Sequence, residues 1–253
     1  MDTEIRRIML EAGKRMLAMS NAPVHQKEGH ANFVTDADTA VQSFLLQELS
    51  RVVPGATFFA EEQQNNCLGE DYTFLIDPID GTTNFFRGHR CSAISVALLL
   101  HREPVLGMVY DPYHNQLFHA VKGKGAFCGD TPIHVSEIPF SQGLINVGTS
   151  PYYPEEAEKT LTAAKELLLR CADLRRSGSA APDLCSVAAG HTDMFFEYRL
   201  SPWDYAAASF IISEAGGKYG AFDGEAFSYE HPIPFLAANA KCFEPLQSLL
   251  NSL

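Results

Sequence analysis

The chain has 253 residues, 46% hydrophobic and 20% charged, with a formal net charge of −12. This composition argues against disorder, and the length allows one large core or two fused halves. The acidic balance argues against a basic nucleic-acid surface, and it would repel an anionic substrate unless cations or helix ends reverse the field locally. Six cysteines with no Cys-x-x-Cys pair argue against a zinc ribbon, and a disulfide scaffold is not expected at this length. The early acids Asp2 and Glu4 do not read as a signal peptide, and the apolar run Ala93 to Leu100 is too short to cross a bilayer. A soluble, cytoplasmic protein is expected.

Ile5, Ile8, Met9, Ala12 and Met16 recur at helical spacing and predict an amphipathic helix over 3–19. A polar loop is expected from Asn21 to about Asn32, then a helix over about 38–51 closed by Pro54-Gly55. Thr57 to Ala60 and Tyr72 to Asp77 read as strands. Ser92 to Leu100, Val105 to Tyr110 and Gln116 to Val121 read as three more in an antiparallel meander. A boundary is placed near residue 140, giving halves 1–140 and 141–253. The second half alternates: strand Leu144 to Val147, helix 154–171, strand Asp173 to Arg176, helix 180–190, strand Met194 to Tyr198, helix Pro202 to Ala215, strands near Lys218 and at Phe235 to Ala238, and a closing helix. The fold class is therefore mixed α/β (α+β).

Asp77 and Asp80 sit at the end of an apolar strand, where Pro78 helps to stop it, and Gly81-Thr82-Thr83-Asn84 looks like a short helix opening. Two carboxylates in such a turn can face one point and offer oxygen ligands to a hard cation. The unpaired N–H groups after Gly81 suit an anion. On its own the same turn also reads as a capped loop with Asp80 as helix cap.

The run Ile76 to Phe85 closely resembles a signature of the inositol monophosphatase family. Trp203-Asp204-Tyr205-Ala206-Ala207-Ala208 followed by Glu214-Ala215-Gly216-Gly217 resembles a second, and Arg176 to Ala181 is similar to a substrate loop of that family. Lys27, Val34 to Asp38 and Glu61-Glu62 stand in the matching order, so the resemblance covers roughly residues 5 to 240.

The resemblance implies a layered αβαβα sandwich, a homodimer, lithium sensitivity and two or three Mg2+ ions per site. It implies that Glu61, Asp77 and the carbonyl of Ile79 hold one ion, that Asp77, Asp80 and Asp204 hold a second, and that a third sits near Glu61 through water. Asp38 and Thr82 would orient and deprotonate the attacking water, with Glu61 also counted as catalytic. The N–H groups of Gly81, Thr82 and Thr83 would hold phosphate, and Gly178, Ala180, Glu197 and Asp204 would face the alcohol. The expected partner is a small phosphomonoester, with no nucleic acid and no membrane. The implied reaction is hydrolysis of myo-inositol monophosphate. Alternatives are a nucleotide, a sugar bisphosphate or histidinol phosphate, or, in another class, a metal-binding regulator without turnover.

The sequence departs from the family pattern at Asn32, where many members carry Asp. It also departs between Glu197 and Asp204, where a histidine of some members is missing and Arg199 adds a cation.

Overall fold

The computed structural model describes residues 1–27, 29, 31–222 and 227–253. Helix α1 (Asp2–Ala18) buries Ile5, Ile8, Met9, Ala12 and Met16 on one face, as the spacing predicts. Within the segment expected as a plain loop, β1 (Val24–Gln26) pairs with β2 (Phe33–Thr35) just beyond it, and β2 runs directly into α2 (Asp36–Val52); the part of that expectation on residues 28 and 30 lies outside the described residues.

A seven-stranded sheet follows in the order β3 (Thr57–Ala60), β4 (Tyr72–Asp80), β5 (Ala93–Leu100), β6 (Glu103–Asp111), β7 (Gln116–Val121), β8 (Ala126–Cys128) and β9 (Thr131–Ile133). Only the β3–β4 pair is parallel; the rest is the expected meander, extended by β8 and β9, which the sequence reading lacks. The short helix α3 (Thr82–Phe86) leaves the end of β4. A 3₁₀ turn at Phe140–Gln142 leads to a second sheet. Its strands are β10 (Leu144–Val147), β11 (Asp173–Arg175), β12 (Met194–Leu200), β13 (Lys218–Ala221) and β14 (Ile233–Ala238), in the spatial order β11-β10-β12-β14-β13.

Helices make the other layers. Helices α1 and α2 cover the outer face of the seven-stranded sheet, and α5 (Ala180–Ala188) and α6 (Pro202–Glu214) lie between the two sheets. Helices α4 (Ala157–Leu168) and α7 (Phe243–Leu250) close the far side. The result is the αβαβα sandwich. The sequence of α6 explains its place. Tyr205, Ala207, Phe210 and Ile212 spread apolar surface around the whole helix, which therefore needs cover on all sides. One core joins Ala93 and Phe118 of the first sheet to Tyr205 and Phe235 of the second half. The helix expected from 154 begins later, because Pro154 opens a 3₁₀ turn, Pro154–Glu156, ahead of α4. Among the described residues no helix is long and apolar enough to cross a membrane.

Candidate active site

The end of β4 differs from the expected strand stop. The strand continues through Pro78 to Asp80, and its pairing with β5 slips on the way. Asp77 faces Ser95 and Asp80 faces Ala93, so three steps on β4 match two on β5. A regular pleat would send residues three apart to opposite faces; one extra residue in a bulge turns them to the same side. The N–H of Ile79 donates to Asp77 Oδ1 at 2.9 Å and stiffens the bulge. The side chain of Ile79 is buried in the core, so only its backbone is available to the site.

Asp80 does not cap α3. Gly81, at φ +82°, occupies the cap position, and Asp80 Oδ2 instead accepts the Ser179 hydroxyl at 2.9 Å and the Ala181 N–H at 2.6 Å. The loop Arg176 to Ala181 is thereby fixed to the acid turn.

Three further segments converge on this turn. Ser201 and Asp204 form a reciprocal cap at the start of α6, with the Ser201 N–H donating to Asp204 Oδ2 at 3.1 Å. The Trp203 carbonyl accepts the Ser95 hydroxyl at 3.2 Å, which seats this helix start opposite Asp77. Glu61 follows β3, and its N–H donates to the Ile76 carbonyl at 3.1 Å, so it stands beside Asp77 across the parallel pair. Thr35 and Asp38 cap α2 in the same reciprocal way, and Thr82 donates to Asp38 Oδ1 at 3.0 Å. Carboxylate oxygens of Asp77, Asp80 and Asp204 lie within 4.8 Å of one another.

These residues open onto a cleft of about 950 Å³. Glu61, Asp77, Ile79, Asp80, Gly81, Thr82, Thr83, Gly178, Ala180, Glu197 and Asp204 all line it. Asp38, with no exposed surface, stands behind Thr82. Burial raises the pKa of every acid here: Glu61 to about 8, Asp80 to about 6, and Asp77 and Asp204 well above the carboxylate range. Neighbouring negative charges raise Asp77 and Asp204 further. Hydrogen bonds from Ala181, Ser179, Ala180 and Gly81 offset part of the rise at Asp80. Crowded carboxylates of this kind form an oxygen-only donor set that fits a hard divalent cation.

Glu197, on β12, is buried and pushed up to about 7 by that burial, against the hydrogen bonds it receives from Ser150. Gly178 takes φ +89°, a value open to glycine.

Several residues that line the cleft are given no individual role by the sequence. Lys27, which the sequence marks only by its order in the family pattern, lines the cleft, pairs with Glu62 and lies 3.8 Å from Glu61. Its N–H donates to the Asn32 carbonyl at 2.9 Å, so the unforeseen hairpin brings it in. Ser179, Asp183 and Tyr152 also line the cleft. The Gly178-Ser179 step beside the signature is the one local hint of a tight turn.

Comparison with known proteins gives the family and the fold. The inositol monophosphatase family profile matches residues 3–251. The inositol-1-monophosphatase of Bacillus subtilis is 31% identical over 234 residues, 90% of this chain and 88% of that protein. The Nus factor SuhB of Escherichia coli is 36% identical over 200 residues, 78% of this chain and 75% of that protein. The crystal structure of the extragenic suppressor protein SuhB from Bartonella henselae superimposes with a TM-score of 0.90 at 31% identity, covering 98% of this chain and 97% of that one. Fold and acid cluster thus define a five-layered α/β protein with an oxygen-donor centre. The chain belongs to the inositol monophosphatase family.

Proposed function

We propose that the protein is a magnesium-dependent phosphatase that hydrolyses myo-inositol monophosphate to inositol and phosphate. The observation that carries this reading is the meeting of Asp77, Asp80 and Asp204 within 4.8 Å beside the opening turn of α3. Glu61, Asp77 and the Ile79 carbonyl would hold one ion, and Asp77, Asp80 and Asp204 a second, with a third near Glu61 through water. When bound, such ions lower the pKa of water, shield phosphate charge and stabilise a leaving alkoxide.

The remaining work falls to the chain's own groups. Thr82 orients the attacking water, and Asp38 receives a proton through the Thr82 hydroxyl. The N–H groups of Thr82 and Thr83 hold the phosphate at the unpaired start of α3, and Gly81 shares its N–H with the Asp80 carboxylate. Gly178, Ala180, Glu197 and Asp204 face the alcohol.

A panel of esters tests the reading: inositol 1-phosphate, a sugar bisphosphate, a nucleotide phosphate and histidinol phosphate, each with magnesium or with EDTA. The expected result is highest kcat/KM for inositol 1-phosphate, loss of turnover in EDTA, and loss of most turnover in Asp80→Asn. Undiminished turnover in EDTA, or none of any ester with magnesium, defeats it. The family resemblance also supports a cytoplasmic homodimer inhibited by lithium, which sedimentation and a LiCl titration of activity would check.

The Escherichia coli relative named as a Nus factor supports a second reading, a regulatory role that needs no turnover. An inactive Asp80→Asn variant that fully replaced the native gene in its own cell would favour that role over the phosphatase.

A further inference from the structure

Residues 148–153, between β10 and the 3₁₀ turn at Pro154, form a strap that lines the cleft. This strap is tied to β12 along its length. The Gly148 N–H donates to the Phe196 carbonyl at 2.9 Å, and the Ser150 N–H donates to Glu197 Oε1 at 2.6 Å. The Ser150 hydroxyl donates to the Arg199 carbonyl at 3.2 Å and accepts the Arg199 N–H at 3.1 Å. The Arg199 guanidinium then lies 3.8 Å from the ring centre of Tyr153 and 3.6 Å from Glu155, so this cation is engaged by the strap itself.

Tyr152 has none of these ties. It lines the cleft with Asp80, Glu197 and Asp204, and 45% of its surface is open. Glu61 and Asp77 line the same cleft, so the ring shares it with the whole acid cluster. A rigid strap that carries an exposed aromatic ring over an acidic floor is suited to a neutral, ring-shaped alcohol. A flat ring packs on C–H surface without repelling it, and the hydroxyl can donate to an alcohol oxygen of the substrate.

We infer that Tyr152 is a specificity-determining residue that packs on the alcohol half of the substrate and selects neutral cyclic polyol phosphates over acyclic ones. This inference rests on the phosphatase reading. The test compares kcat/KM for inositol 1-phosphate and for glycerol 2-phosphate in wild type, Tyr152→Phe and Tyr152→Ala. Both esters share the phosphate chemistry, so their ratio isolates the alcohol.

In Tyr152→Ala the ratio should fall about tenfold, through KM, and the inhibition constant of free myo-inositol should rise by a similar factor. Tyr152→Phe should keep the ring contribution and lose about threefold for the hydroxyl. If Tyr152→Ala melts below wild type, Tyr152→Leu, with apolar bulk but no ring, carries the same comparison. An unchanged ratio in folded, active Tyr152→Ala or Tyr152→Leu overturns the inference and leaves the phosphatase reading standing. Failure of wild type to hydrolyse either ester overturns both.

Discussion

Asp38 reaches the cleft only through Thr82. The Thr82 hydroxyl lies 3.0 Å from Asp38 Oδ1 and 3.1 Å from the Ile79 carbonyl, while Asp38 Oδ2 is taken by the N–H and hydroxyl of Thr35 at 2.7 and 2.5 Å. The pair should therefore behave as one unit. Thr82→Ala should lower kcat by roughly 10²–10⁴-fold with little change in KM, and Thr82→Ser should keep most activity. Asp38→Asn should match Thr82→Ala, and the double variant should be no worse than either. Phosphate release at saturating substrate and magnesium measures this; additive losses would show that the two act separately.

Gly81 joins the acid turn to the loop Arg176 to Ala181. A Cβ there would lie 2.9 Å from Ser179 Cβ and 3.1 Å from the Cys91 carbonyl oxygen, on backbone at φ +82°. Gly81→Ala should cost about 1–3 kcal/mol in urea unfolding. It should also weaken the magnesium dependence of activity, because Ser179 must move and its hydroxyl holds Asp80 at 2.9 Å. Ser179→Ala should weaken magnesium dependence with a smaller loss of stability, which separates strain from the lost hydrogen bond.

Much of the site is legible in the sequence because its chemistry is packed into short motifs. Ile76 to Phe85 carries two acids and the turn, and Trp203-Asp204 carries the third acid. The periodicity of α1 and the apolar runs of β5 and β12 likewise identify elements whose faces are buried by one kind of neighbour. The bulge at Pro78 is not legible, because pairing slips depend on β5 and not on local propensity. Nor is Ser179, which meets Asp80 across 99 residues. Lys27 enters through a hairpin whose strands, Val24–Gln26 and Phe33–Thr35, are too short to show alternation.

The crowded acids tie stability to pH. Glu61 rises from 4.5 to about 8 and Asp80 from 3.8 to about 6, so between those values the folded chain binds more protons than the unfolded one. Stability then falls as pH rises through this window, and the loss is complete above the folded pKa values. In EDTA the melting temperature should decline from about pH 5 to about pH 8, and magnesium should raise it most at the alkaline end, where the carboxylates are free of protons. Thermal melts across that range with and without magnesium test this. A melting temperature that climbs with pH in EDTA would contradict the reading that burial holds these acids protonated in the folded chain.

Gly148 supplies the most direct test of Glu197. A Cβ at Gly148 would stand 2.0 Å from Glu197 Oε2 and 2.7 Å from its Cβ. Glu197 has little freedom to yield, because it is buried and its other oxygen holds the Ser150 N–H at 2.6 Å. Gly148→Ala should therefore displace the carboxylate from the alcohol side of the cleft while leaving Asp77, Asp80 and Asp204 in place. The expected result is a KM for inositol 1-phosphate raised by about tenfold, with kcat and magnesium dependence close to wild type. Glu197→Gln should share the rise in KM without the steric clash, so its urea midpoint should lie above that of Gly148→Ala. A Gly148→Ala enzyme with wild-type KM would mean that Glu197 takes no part in holding the alcohol.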